Sequence, residues 1–161
     1  MLTFDTDRGH FNVRAAGVCV EDGYVLAQQF DGSEFWVLPG GRIEMGEDSA
    51  KALAREMSEE LPITDAILIE RLLWITELFF NPSEGEEYHE LGFYYLMRLP
   101  AGHALQDKSA SAFSEDAGAR FELRWLPLDA LGDFPIVPYF RRTELLALPG
   151  DPRHMIIYEE R

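Results

Sequence analysis

Between Leu38 and Leu61 the chain has little freedom in what it can fold into. Leu38-Pro39-Gly40-Gly41 ends an apolar run in a sharp turn: Pro removes an amide donor, and Gly lets backbone approach a neighbour or a ligand closely. The stretch 48–61 then reads as a helix capped by Asp48 or Ser49. On that helix Ala50, Leu53, Ala54, Met57 and Leu61 form the expected core stripe. Glu56, Glu59 and Glu60, at i, i+3 and i+4, fall on another face, roughly 5–6 Å apart at Cβ. Like charges at that spacing weaken a free helix. Neither Met57 nor Ser58 is basic, and Arg55 is expected well round the helix from Glu56 and Glu60. Carboxylates without a cation of their own call for one from outside. All-oxygen donors suit a hard ion, Mg²⁺ or Mn²⁺, which completes its shell with water and phosphate. The competing reading is a solvated acidic face. The double-glycine turn beside the helix weighs against it.

The rest of the chain reads as strands around this segment. Small and β-branched residues over 13–20 form a strand. Asp22-Gly23 then joins it to the apolar run 24–27 as a hairpin, since Gly accepts the positive φ of such a turn. Residues 35–38 read as a short strand, and 66–80 and 88–99 as longer ones. The segment 81–87 is an acidic loop, and 100–119 a long one. Phe121, Leu123 and Trp125 alternate along a strand over 120–126. A second helix is expected over 137–148, with Pro138 in its first turn, and a last strand over 155–158. Strands on both sides of a helix make a single α/β domain spanning 1–161.

Charge excludes some functions. With 14 basic and 29 acidic residues the chain carries −15, which repels a nucleic-acid polymer but leaves open small phosphorylated ligands bound through metal ions. The single cysteine, Cys19, excludes an internal disulfide framework and a Cys-rich zinc site. No run approaches the roughly 20 apolar residues of a membrane helix. The first residues lack a basic segment leading into an apolar one. The expectation is a cytoplasmic protein without membrane partners.

The segment 41–63 resembles the Nudix box: Gly, five residues, Glu, seven residues, then Arg-Glu-apolar-any-Glu-Glu-any-Gly-apolar. Here it reads Gly41, Glu47, Arg55, Glu56, Met57, Glu59, Glu60, then Pro62 in place of Gly, then Ile63. Pro39-Gly40 and Glu44 extend the match. Six such fixed residues coincide by composition about once in a million starting positions. The resemblance implies an α/β/α sandwich around a mixed β-sheet. It also implies a MutT-like hydrolase that cleaves a nucleoside diphosphate linked to another group. It further implies Glu56, Glu59 and Glu60 as metal ligands with the Gly40 carbonyl, and an Arg55–Glu47 pair that braces the loop against the helix. Pro62 is a departure. Its ring pushes Leu61 out of helical angles, so the helix exit should change more than the metal site.

Phosphoryl transfer needs charge neutralisation and an in-line water, deprotonated by a carboxylate. The candidate bases are Glu60, Glu90 at a strand start, and Glu115 or Asp116 in the long loop, with Glu90 preferred because a strand preorganises it. Glu59 and Arg55 complete the expected reacting set. The substrate is a small nucleotide derivative, with MutT likeness favouring nucleoside triphosphates, and a homodimer is compatible with the sequence. The alternatives are a nucleotide-sensing module without turnover and an unrelated acidic interaction protein.

Overall fold

The computed structural model describes residues 1–116, 118–139 and 141–160. Six strands form a mixed sheet in the order β1 (Thr3–Asp5), β2 (Gly9–Val18), β7 (Glu87–Arg98), β6 (Leu68–Phe80) and β10 (Arg153–Glu159), with β5 (Gly40–Arg42) added on β2. β2 runs parallel to β7, and β10 parallel to β6. Beside this expected mixed sheet stands a second, antiparallel one: β3 (Val20–Glu21), β4 (Tyr24–Phe30), β9 (Ala119–Pro127) and β8 (Ala112–Asp116).

The hairpin forms where expected. Asp22 and Gly23 take φ of 51° and 82°, and Val20 pairs with Val25 across them. Phe121, Leu123 and Trp125 alternate inward along β9 and are buried. They join Leu26 of β4 and Leu53 and Met57 of the helix α1 (Ser49–Glu60) in one core. A second core forms on Val25, Ala27, Trp74, Tyr94 and Leu126. Cys19 is buried in the first, and burial pushes its thiol up to about 12. No helix among the described residues is long and apolar enough to cross a membrane.

Three expectations change. The loop over 100–119 contains β8, an edge strand whose polar sequence carries little strand signal and which gains its structure by pairing with β9. Residues 35–38 make only two isolated bridges, Gln28 to Val37 and Trp36 to Ile136, because Pro39 ends the run. In place of a helix over 137–148, the described helix is one turn, α2 (Arg141–Glu144). Val137 precedes proline and its amide donates to the Trp36 carbonyl, so the chain there is tied to a neighbour and not wound on itself. Phe140, inside that expected helix, lies outside the described residues.

Candidate active site

The helix α1 begins where capping chemistry places it. The Asp48 carboxylate accepts from the Lys51 amide at 2.9 Å. It ends at Glu60, with Leu61 at φ −92°, ψ 141°, the extended geometry Pro62 demands. Its buried face differs from the expected stripe. Ala52, Leu53, Glu56, Met57 and Glu60 are buried, whereas Ala54 is exposed. Two of the three carboxylates therefore point inward, toward β5. Glu59 stays half exposed.

Gly40 and Gly41 make this inward packing possible. Gly40 has φ of 144°, and a Cβ there would lie 2.2 Å from the Ala15 carbonyl oxygen. A Cβ on Gly41 would lie 2.1 Å from Glu56 Oε2. The missing side chain is the space the Glu56 carboxylate occupies. Glu60 Oε2 accepts from the Gly40 amide at 3.2 Å, and Glu60 Oε1 from Gln28 Nε2 at 3.5 Å.

Arg55 corrects the picture of a cation-free cluster. Its guanidinium grips Glu47 with two hydrogen bonds of 3.0 Å and donates to the Arg42 carbonyl at 3.0 Å. One nitrogen, Nη1, also reaches Glu56 at 2.7 Å and Glu59 at 3.3 Å. An arginine fork is long enough to curl back on its own helix, which a projection by Cα angle does not capture. Arg55 thus ties the loop over 42–47 to the helix. It holds the Glu47 carboxyl below its ordinary range, and its own pKa rises. Glu44 is exposed, and its amide donates to Glu47 at 3.1 Å.

Glu60 has no ion-pair partner among the described residues. Burial pushes its carboxyl up to about 7, opposed by the charge of Arg14. Burial also raises Glu56, with Arg55 and Arg14 pulling the other way. The last turn of α1 has no basic side chain, so Glu59 and Glu60 lie against the helix's own negative pole.

Glu90 lies on β7 opposite Asn12 of β2 and Leu78 of β6, buried, and accepts from the Tyr88 hydroxyl at 3.3 Å. Glu90, Tyr88 and Arg14 face a cavity of about 180 Å³ walled by Leu78, Tyr94 and Val137. Arg14 therefore connects two groups: it lines the Glu90 cavity, its charge acts on Glu56 and Glu60, and its Nη2 donates to the Leu38 carbonyl at 3.1 Å. Glu115 stands apart, exposed on the edge strand β8 opposite Arg120. The Asp116 side chain lies outside the described residues. His89 packs between Phe79 and Phe11.

Arg14 and Gln28 were not singled out from sequence. A signal was present for Arg14, a charged side chain within the apolar run 13–20; Gln28, beside Gln29 in β4, carried none, although it is fully buried with its Oε1 unpartnered.

Among the described residues, no three His, Cys, Asp or Glu side chains converge tightly enough to enclose a metal. Arg55 draws Glu56 and Glu59 to itself, and Glu60 turns to Gln28 and Gly40. The donor chemistry nevertheless fits a hard divalent ion. Among the described residues Glu60 is a buried carboxylate without an ion-pair partner, Glu56 is cradled where a Cβ would otherwise sit, and both border the Gly40 turn.

Comparison with known proteins bears on the family and the fold. The NUDIX domain profile matches residues 10–144. An RNA pyrophosphohydrolase of Actinobacillus pleuropneumoniae serotype 5b (strain L20) is 26% identical over 145 residues, covering 83% of this chain and 68% of that protein. The MutT NUDIX hydrolase structure from Burkholderia pseudomallei superposes with TM-score 0.54 at 26% identity, over 74% of this chain and 84% of that one. The mutator MutT protein of Bacillus halodurans superposes with TM-score 0.61 at 19% identity, over 91% and 90%. With the profile spanning most of the chain, this protein belongs to the Nudix family of hydrolases.

Proposed function

We propose that the chain is a divalent-metal-dependent pyrophosphohydrolase that cleaves a nucleoside diphosphate linked to another group by attack of water at phosphorus. The observation that carries this reading is the burial of Glu56 and Glu60 beside the Gly40–Gly41 turn, with Glu60 lacking an ion-pair partner among the described residues and feeling Arg14 only through its field. Buried charges are retained where something compensates them. Glu56 and Glu60, with Glu59 and the Gly40 carbonyl, would hold Mg²⁺ or Mn²⁺. Such an ion supplies charge neutralisation for the diphosphate and lowers the pKa of water.

The chain's own residues supply the rest. Arg55 braces the loop against the helix through Glu47 and the Arg42 carbonyl, so the Gly40 turn keeps its place. Arg14 lines the adjoining cavity and offers a guanidinium to a phosphate oxygen. Glu90, held by Tyr88 on a sheet strand, accepts the proton of the attacking water; Glu60, with its raised pKa, is the alternative acceptor. The A. pleuropneumoniae relative is named for a pyrophosphate-cleaving reaction on RNA. A chain of −15 opposes a polymer, so the substrate here is a small nucleotide derivative.

The test is a nucleotide-library hydrolysis screen with Mg²⁺, Mn²⁺ or EDTA, reading phosphate with and without added phosphatase. Metal-dependent release of a nucleotide is the expected result. Metal-dependent nucleotide binding with no product from any compound would overturn the reading in favour of a sensing module.

A further inference from the structure

The six-stranded sheet carries a cross-strand row of aromatic rings that the site above does not use. Phe4, Phe11, His89, Phe79 and Tyr158 stand in register on β1, β2, β7, β6 and β10. Their ring centroids are 5.0, 5.0, 4.3 and 5.1 Å apart in that order. Residues in register share one face of a sheet. The row ends on Tyr158, which stacks on Phe79 and is 78% exposed.

At that end opens a cavity of about 600 Å³, larger than the one beside Glu90. Phe79, Phe80, Tyr88, His89 and Tyr158 wall it, and Glu87, Glu159 and Glu160 line it too. Among the described residues one guanidinium, Arg8, opposes these carboxylates and is engaged by Glu87 at 2.6 Å. Phe79 is sandwiched between His89 and Tyr158, so the ring face open to a ligand is the outer one of Tyr158; it carries negative potential, and the carboxylates add to it. A phosphate or carboxylate ligand is repelled there. A neutral apolar ligand fits the rings but gains nothing from the acids. A compact, strongly hydrated ammonium loses more water than the rings return. A bulky, weakly hydrated organic cation suits both features.

We propose that this cavity binds an alkylammonium cation of the choline type. That cation has two sources: a free amine, or the cationic end of a substrate whose phosphates lie beside Arg14 and Glu90. Phe80 and Tyr88 line both cavities and alternate with Phe79 and His89 along their strands, so a molecule that joins the two passes round the strand ends from one sheet face to the other. The second source rests on the hydrolase reading above; the cation site itself does not.

The test is a titration of the full chain with tetramethylammonium chloride, followed by NMR of the aromatic side chains, with sodium chloride as control. Saturable shifts at Tyr158 and Phe79 are expected, with affinity lowered roughly tenfold in Tyr158→Ala and lowered also in Glu160→Gln. Both residues are exposed, and circular dichroism of the variants is the check that they fold. Shifts no larger than those of sodium chloride, or unchanged affinity in both variants, would overturn the proposal. So would saturation by adenosine and not by tetramethylammonium, which marks a neutral base pocket. Hydrolysis of a nucleoside diphosphocholine separates the sources. A selective fall in Tyr158→Ala, with nucleoside triphosphate hydrolysis unchanged, assigns the cation to the substrate. Unchanged hydrolysis of both, with tetramethylammonium binding lost, assigns it to a free amine. Tetramethylammonium binding in a chain that hydrolyses no nucleotide would sink the hydrolase reading and leave this site standing.

Discussion

Glu60 makes the metal-free protein sensitive to pH in a direction that can be worked out. Its carboxyl sits at about 7 in the folded chain, against an ordinary 4.5, because burial penalises the charged form. Below about pH 4.5 both folded and unfolded chains hold the proton, and the group contributes no penalty. Between about 4.5 and 7 the unfolded chain releases its proton while the folded chain keeps it, so stability falls as pH rises. Above 7 the loss is complete. A shift of this size is worth about 3 kcal/mol, and Glu60 is only 3% exposed, so solvent screening removes little of it. The assay is urea denaturation in EDTA across this range, for wild type and Glu60→Gln. The variant cannot ionise at this position. It should lose about 3 kcal/mol less than wild type between the two ends and be the more stable protein at high pH. Its hydrolytic activity should nonetheless collapse. Adding Mg²⁺ should restore wild-type stability most strongly above pH 7, where the carboxylate is charged. Parallel pH profiles for the two proteins would refute the argument.

Arg55→Ala should lower activity roughly tenfold or more, and hydrogen exchange should speed up over 42–47, because one guanidinium holds that loop to the helix. Unchanged exchange would reject the bracing role. Gly41→Ala should destabilise the chain by about 1–3 kcal/mol in urea melts, since its Cβ falls on the Glu56 carboxylate. Glu90→Gln should lose most of the single-turnover rate at saturating metal, whereas Glu115→Gln, exposed on an edge strand, should keep it. The reverse outcome would move the base to β8.

The elements most legible in the sequence were those whose local chemistry and tertiary setting agree. Asp22-Gly23 needed a positive-φ turn and formed one; Pro62 needed Leu61 extended and made it so. β8 was not legible, because a run such as Ala-Phe-Ser-Glu-Asp becomes a strand only through β9. The helix face was misread for a related reason. Periodicity assigns charged residues outward, but Glu56 fills the space that Gly41 leaves without a side chain, and Glu60 turns inward to the Gly40 amide and Gln28. Arg55 was placed by its Cα, and its contacts are decided several bonds further out. The residues around Glu90 could be brought together only by the parallel pairing of β2 with β7, which no local pattern encodes.

The ties that organise the Gly40 turn are short in sequence. Glu47 to Arg55 spans 8 residues, Arg42 to Arg55 spans 13, and Gly40 to Glu60 spans 20. The sheet that delivers Glu90 begins instead with Gly9 against Glu87. Closing the longer loop costs about 1.2 kcal/mol more in chain entropy than closing the 20-residue one. During folding the loop and helix can therefore meet before β2 finds β7, and contacts between β2 and β7 should govern the slower arm of the reaction. Substitutions between Gly40 and Glu60 should then act mainly on early contacts, and Val13→Ala on β2 mainly on the late ones. A φ-value near zero for Ala52→Gly, beside one near one for Val13→Ala, would reverse that order. The same shortness means that nearly all of the proposed metal-binding apparatus travels as one contiguous piece of chain, with Glu90 the part that the rest of the fold must bring to it.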